Sequence, residues 1–289
     1  MGGRTLGATW TVRDVLNWTR TYFKEAGIVQ PRLEAEILLA HTLSVDRLHL
    51  YLAPDRPLSP EERARYREVV KKRRQGTPLQ YLIGEVQFLG LRFRVRPGAL
   101  IPRPETEEMV MRALRLLPRD QDTACLDLGT GSGVIGVCLA KYLPRVSVTA
   151  VDVSTEALEL AKENADLNGV SDRIEFLQSD WFERVEGKFD LIVSNPPYVP
   201  REAMPSLPPE VRAHEPKIAL DGGEGGVEEI SRIIAAAGAH LRRNGYILLE
   251  IGDGQGEAVS ALAADAGFTG TKVEHDLSGK ERFVIARCP

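Results

Sequence analysis

The tetrad Asn195-Pro196-Pro197-Tyr198 carries the most specific chemistry in the chain. It follows the apolar run Phe189-Asp190-Leu191-Ile192-Val193-Ser194, which reads as a buried strand. Neither proline has an N–H, so the main chain here offers acceptors rather than donors. The Asn195 side-chain oxygen and the Pro196 carbonyl can each accept one N–H of a planar, conjugated NH2 group. Tyr198 can wall that flat group on one face. This arrangement suits alkylation of the NH2 nitrogen. Pro-Pro after a strand is also a rigid turn. The tetrad alone does not distinguish a side-chain amide from the exocyclic amine of adenine, since both are flat NH2 groups.

A second set of residues supplies the other half of such a reaction. Asp127-Leu128-Gly129-Thr130-Gly131-Ser132-Gly133 follows an apolar strand and opens a helix. Its glycines let the backbone turn sharply and approach a ligand, and the helix N-terminus presents unpaired N–H groups. Asp152 ends the next strand, where an acid can accept both hydroxyls of a ribose. Asp180-Trp181 is expected to close the third strand, with the acid facing an adenine amino group and the indole packing on its ring; a core tryptophan is the plainer alternative. Gly131-Ser132-Gly133-Val134-Ile135-Gly136 also satisfies the dinucleotide fingerprint. Against a nicotinamide cofactor stand Asp127, a carboxylate better suited to a cationic amine than to a pyrophosphate, and the tetrad, which holds no hydride acceptor. S-adenosylmethionine, an adenosyl ligand with an amino acid and a sulfonium, fits these residues better.

These groups must be positioned by alternating strands and helices. Strands are expected at 123–128, 147–153, 173–180, 189–195 and 245–251, with helices at 105–117, 133–142, 154–168 and 227–242. That alternation predicts an α/β fold, a mostly parallel sheet with helices on both faces. Residues 268–276 and 282–288 read as a terminal hairpin that adds an antiparallel strand. Residues 1–76 form a small helical domain, 77–104 a β-hairpin linker, and 105–289 the catalytic domain. The helix at 61–74 carries Arg63, Arg65, Arg67, Lys71, Lys72, Arg73 and Arg74, which is either a solvated face or a surface for an acidic partner.

Bulk properties exclude several classes. The chain has 289 residues, 43% hydrophobic and 27% charged, with a net charge of −4. This is the composition of a globular protein and argues against a general nucleic-acid binder. No apolar run reaches the ~20 residues of a membrane span, and Met1–Arg20 lacks the core of a signal peptide. Cys125, Cys138 and Cys288 form no paired pattern and the five histidines no metal spacing, so no metal is expected and the reducing cytoplasm is the expected compartment.

Taken in order, several segments resemble the HemK/PrmC family of class I S-adenosylmethionine-dependent methyltransferases. They are Arg32–Leu39, Gln80–Gly84 with Phe88–Gly90, Ile101–Glu107, Asp127–Gly133, Asp152, Asn195–Tyr198, Glu215–Leu220 and Asp276–Arg282. The chain departs from the family's Gly-x-Asp-Gly pattern at Gly223-Glu224-Gly225-Gly226. The resemblance implies a protein-(glutamine-N5) methyltransferase that modifies the glutamine of the Gly-Gly-Gln motif in class 1 peptide chain release factors and so tunes translation termination. It implies S-adenosylmethionine as donor, S-adenosylhomocysteine as product, and no requirement for nucleic acid or membrane. The implied fold is a seven-stranded sheet, mostly parallel with a terminal antiparallel hairpin, preceded by a helical bundle that grips the protein substrate. Carried over by position, cofactor contacts fall on Gly129, Thr130, Gly131, Ser132, Gly133, Asp152, Trp181 and Asn195, and substrate contacts on Asn195, Pro196, Pro197 and Tyr198. Of these, Asn195, Pro196 and Tyr198 would carry the chemistry, with Glu215 a possible neighbour in space.

Overall fold

A computed structural model describes residues 9–289, so the first part of the Met1–Arg20 stretch lies outside the described residues. The chain forms two compact units, Met1–Gly84 and Glu85–Pro289. No helix among the described residues is long and apolar enough to cross a membrane.

The first unit is helical: α1 (Val12–Glu25), α2 (Pro31–Leu43), α3 (Arg47–Leu52), α4 (Pro60–Arg74) and α5 (Leu79–Ile83). Two of these helices start on capping boxes, Thr11 with Asp14 and Ser59 with Glu62, which satisfy N–H groups that a helix start otherwise leaves unpaired. Phe23, Leu38, Leu39, Leu50, Tyr66 and Val70 pack its core. The basic helix α4 is not one uniform solvated face. Arg73 is 8% exposed and its Nε lies 2.5 Å from Glu34 Oε2, while the Arg74 guanidinium sits 3.9 Å over the Tyr22 ring. Leu79–Ile83, within the segment read as a β-hairpin linker, is helical. Gly84 stops this short turn in a left-handed conformation (φ 80°), and pairing begins only at Glu85.

The second unit opens with the hairpin β1 (Glu85–Phe88) and β2 (Leu91–Arg94). It continues through α6 (Pro104–Leu116), β3 (Thr123–Leu128), α7 (Val134–Tyr142), β4 (Val146–Asp152), α8 (Thr155–Asn168), β5 (Ile174–Gln178) and β6 (Phe189–Ser194). There follow α9 (Pro209–His214), α10 (Glu228–His240), β7 (Leu241–Glu250), α11 (Gly256–Asp265), β8 (Thr269–His275) and β9 (Glu281–Arg287). Seven strands form one sheet in the order β5-β4-β3-β6-β7-β9-β8, parallel up to β7 and antiparallel from β7 to β8. The expected seven-stranded α/β fold with a terminal hairpin is the observed one. Helix α11 fills a segment for which the alternation assigned no element; its alanine-rich run, Ala258 to Ala266, is a local helix signal.

The sheet is buried on both faces, which is why its central strands read as continuous apolar runs. Leu191, Ile192 and Val193 are all 0% exposed. Leu191 and Val193 pack with Met109, Val137 and Phe93 on one face, and Ile192 packs with Ile233, Ile234 and Val259 on the other. The chain enters the sheet at β3, moves outward through β4 to β5, then returns to place β6 on the other side of β3. The carboxyl ends of β3, β4 and β6 therefore meet at a topological switch point, where open α/β sheets bind ligands.

Candidate active site

A cleft of about 380 Å³ lies at that switch point, within the ~300–1,000 Å³ usual for small-molecule sites. Gly129–Ser132, Asp152, Asp180, Trp181, Asn195 and Pro197 all line it, so residues separated in sequence converge there.

The glycine loop follows from β3 stopping at Leu128 and α7 starting at Val134. Gly133 caps the helix at φ 84°, and a Cβ there would come within 3.0 Å of Ala161 Cβ and 3.1 Å of its Cα. Only glycine satisfies both the backbone angle and the close approach of α8. The Thr130 N–H donates to the Val151 carbonyl (2.8 Å), and Ser132, itself buried, gives its carbonyl to Asn164 Nδ2 (2.8 Å). Asn164, 0% exposed, also pairs with both main-chain groups of Arg94 and so ties the β1–β2 hairpin to this loop.

The two acids flanking the loop differ. Asp152 lines the cleft; its Oδ2 accepts the Gly131 N–H (2.9 Å) and its Oδ1 the Ser154 N–H (3.0 Å). Burial raises its pKa. A carboxylate has about four acceptor sites; the main chain of Gly131, Ser154 and Val153 bears on this one, and the capacity left can accept a hydroxyl such as that of a ribose. Asp127, expected to face a cationic amine, stands elsewhere. It is 0% exposed and is not part of the cleft wall. Its Oδ2 accepts from Thr130 Oγ1 (2.7 Å) and the Gly136 N–H (2.9 Å), which places it beneath the first turn of α7. The cause is that Asp127 lies inside β3, one residue before its end, and by strand alternation shares the face of Cys125, which α7 covers. Burial pushes its carboxyl up to about 6, and Oδ1 has no partner.

Strand β5 ends at Gln178, so Asp180 and Trp181 lie beyond the strand they were expected to close. Trp181 adopts φ 43°, an outlier for a bulky residue. Its indole N–H donates to Glu229 Oε2 (2.6 Å), and its ring lies beside Gly129, whose Cβ would be 3.4 Å from Cζ3. Asp180 Oδ2 is taken by Arg232 Nη2 at 2.9 Å, which leaves Oδ1 for any amino group in the cleft.

The tetrad leaves the sheet where Ser194 Oγ donates to the Leu128 carbonyl (2.7 Å). Asn195 and Pro197 line the cleft, and Pro196 is buried. Asn195 Nδ2 donates to Thr106 Oγ1 (3.2 Å), and Thr106 Oγ1 donates to Glu250 Oε2 (2.9 Å). The Tyr198 hydroxyl donates to the other oxygen of Glu250 (3.2 Å). Tyr198 therefore turns inward against the core rather than forming the cleft wall expected of it. Its carbonyl is held by Gln255 Nε2 (3.0 Å) and crowded by Gly226, where a Cβ would stand 2.3 Å from that oxygen. The loop that departs from the family pattern thus packs on the tetrad's main chain. Glu215 is buried and spent: it pairs with Arg103 Nη2 (2.5 Å) and accepts the Ile101 N–H (3.3 Å).

Thr106 and Glu250 were not singled out from sequence. Thr106 lies inside the motif Ile101–Glu107, and Glu250 ends the apolar strand β7, so an acid closing a strand was the available signal for it.

The PrmC N-terminal domain family matches residues 14–84 and the Methyltransferase small domain family matches residues 110–206. A release factor glutamine methyltransferase of Geobacter sulfurreducens is 44% identical over 279 residues, 96% of this chain and 97% of that protein. One of Chlorobaculum tepidum is 42% identical over 284 residues, 94% of this chain and 96% of that protein. Among solved structures, a methyltransferase from Pyrococcus furiosus superimposes with a TM-score of 0.53 at 20% identity, covering 69% of this chain and 89% of that one, which shows a shared fold. With its helical unit, its seven-stranded sheet and near full-length identity to these relatives, the chain belongs to the release factor glutamine methyltransferase family.

Proposed function

We propose that this chain transfers a methyl group from S-adenosylmethionine to the side-chain amide nitrogen of the glutamine in the Gly-Gly-Gln motif of class 1 peptide chain release factors. It thereby tunes translation termination, in the cytoplasm and without need of nucleic acid. The observation that carries the reading is that the Asn195 NH2 is engaged by Thr106, which leaves Oδ1 of Asn195 as an acceptor at the cleft.

The residues present fit the cofactor. Glycine backbone at 129–133 leaves room for close approach, Asp152 presents a carboxylate to the cleft, and Trp181 offers a flat apolar surface beside Gly129. When bound, S-adenosylmethionine supplies an electrophilic sulfonium methyl. Asp152 would hold its ribose, Gly129–Gly133 its amino-acid end, and Trp181 its adenine.

An amide nitrogen is a poor nucleophile because its lone pair is delocalised into the carbonyl. Asn195 Oδ1 and the Pro196 carbonyl each accept one N–H of the substrate amide. This fixes the nitrogen and pushes electron density onto it. Alignment of this kind supplies up to ~7–11 kcal/mol. No strong base is required, since the alkylated nitrogen is acidic and releases its proton to solvent. Glu215, already paired with Arg103, is not needed for the chemistry. The helical domain, 1–76, serves to hold the release factor, and the linker, 77–104, joins it to the catalytic domain, 105–289.

Isotope-labelled S-adenosylmethionine offered with a release factor, with its Gly-Gly-Gln→Gly-Gly-Ala variant, and with adenine-containing RNA and DNA tests this. Label on the parent factor alone is expected. Label on nucleic acid, or equally on the variant, overturns it.

A further inference from the structure

We propose that Glu250, acting through Thr106, is a positioning residue that turns the Asn195 side-chain amide so that its oxygen, and not its NH2, faces the cleft. This rests on the amide-methylation reading and adds to it a cause for the acceptor geometry.

The argument is one of hydrogen-bond direction. A threonine hydroxyl has one proton to give. An ionised carboxylate can only accept. Glu250 Oε2 lies 2.9 Å from Thr106 Oγ1, so an ionised Glu250 obliges the hydroxyl to donate toward it. The Thr106 oxygen can then only accept from its other neighbour, Asn195, which stands at 3.2 Å. Of the two ends of the Asn195 amide only the NH2 can donate, so the NH2 points to Thr106 and the oxygen to the cleft. Tyr198 donates to the remaining Glu250 oxygen at 3.2 Å, so the same carboxylate braces both ends of the tetrad.

Glu250 is 0% exposed, which shields the relay from competing water. The groups that bear on it are Thr106 and Glu105 from α6, Tyr198 from the tetrad and Arg282 from β9. Burial pushes its carboxyl up to about 7; Thr106, Arg282 and Tyr198 oppose that rise and Glu105 adds to it. Once protonated, Glu250 no longer obliges Thr106 to donate inward. The hydroxyl can then donate to Asn195 Oδ1, and the amide presents its NH2 to the substrate's NH2, donor against donor. The relay is on when Glu250 is ionised and off when it is protonated.

Two measurements test this. The first needs no substrate: in the full chain, nuclear Overhauser contacts between the Asn195 side-chain NH2 and the Thr106 methyl are expected at pH 8 and should weaken at pH 5.5. Their absence at pH 8 overturns the proposal. The second is methyl transfer to a release factor. Thr106→Val is expected to lower kcat by up to ~100-fold, the scale of a misplaced reacting group. Its KM for S-adenosylmethionine should stay near the parent value, and Thr106→Ser should restore most of the rate. Glu250→Gln is expected to abolish the rise in kcat through about pH 7. A Thr106→Val enzyme of parental kcat, or an unchanged pH limb in Glu250→Gln, overturns the relay. A parent chain that transfers nothing to the release factor overturns the proposed function instead, and the resonance measurement still decides the orientation.

Discussion

Replacing Glu250 by Gln is expected to remove a loss of stability that the parent's second unit suffers as pH rises, even as it removes the proposed relay. Glu250 is 0% exposed, and burial moves its carboxyl from an ordinary 4.5 to about 7. Between those two values the native state holds a proton that the unfolded chain has released. The stabilisation this represents is complete below about pH 4.5 and is lost as pH rises through about 7. At ~1.4 kcal/mol for each pH unit, the displacement corresponds to about 3 kcal/mol. Glutamine is neutral throughout and loses nothing over this range. Any difference in how it meets Thr106 and Tyr198 is an offset independent of pH. Buried Asp127, pushed up to about 6, contributes a similar slope to both proteins and cancels in the comparison. The assay is hydrogen exchange of β6 and β7 peptides against urea at pH 5 and pH 8, because a two-unit chain need not unfold in one step. The parent's stability relative to Glu250→Gln should fall by about 2–3 kcal/mol between the two pH values. Parallel curves would show that Glu250 is ionised across the range and would refute the reasoning.

Further expectations concern the cleft itself. Asn195→Ala should slow methyl transfer by ~10²–10³-fold, about 2.7–4 kcal/mol in the barrier, while S-adenosylmethionine affinity stays within a few-fold; turnover at the parental rate would remove Asn195 from the chemistry. Asp152→Ala should weaken S-adenosylmethionine binding by ~1.5–3 kcal/mol, the worth of a hydrogen bond to a charged group, and titration calorimetry showing an unchanged Kd would take Asp152 off the ribose. Gly133→Ala meets both a left-handed backbone (φ 84°) and Ala161 at 3.0 Å. It should cost the second unit at least ~1–2 kcal/mol, and a melting temperature equal to the parent's would show that α8 can yield.

The alternation of apolar strands with helices, the glycine loop and the tetrad are all legible in the sequence, because each depends on chemistry within a few neighbouring residues. Leu191 to Val193 must be buried on both faces to be uniformly apolar, and proline cannot donate wherever it stands. Seven strands follow from the same pattern once the terminal hairpin is counted, but their order across the sheet does not, because it depends on which distant strands pair. Inside the segment read as a β-hairpin linker, 77–104, Leu79–Ile83 forms a helical turn closed by Gly84, and strand pairing begins at Glu85.

What tertiary structure alone decided is the direction in which each polar group points. Asp127 and Asp152 both lie near the carboxyl ends of neighbouring strands, yet Asp127 sits one residue inside β3, on the face that α7 covers, while Asp152 ends β4 and reaches the cleft. The acceptor end of Asn195 depends on Thr106, 89 residues away, and Thr106 in turn on Glu250, 144 residues further along the chain. The sequence determined that a donor-poor tetrad would stand beside a glycine loop. Which atom of Asn195 faces the cleft rests on a proton shared among buried groups, and only the folded sheet brings those groups within hydrogen-bond distance.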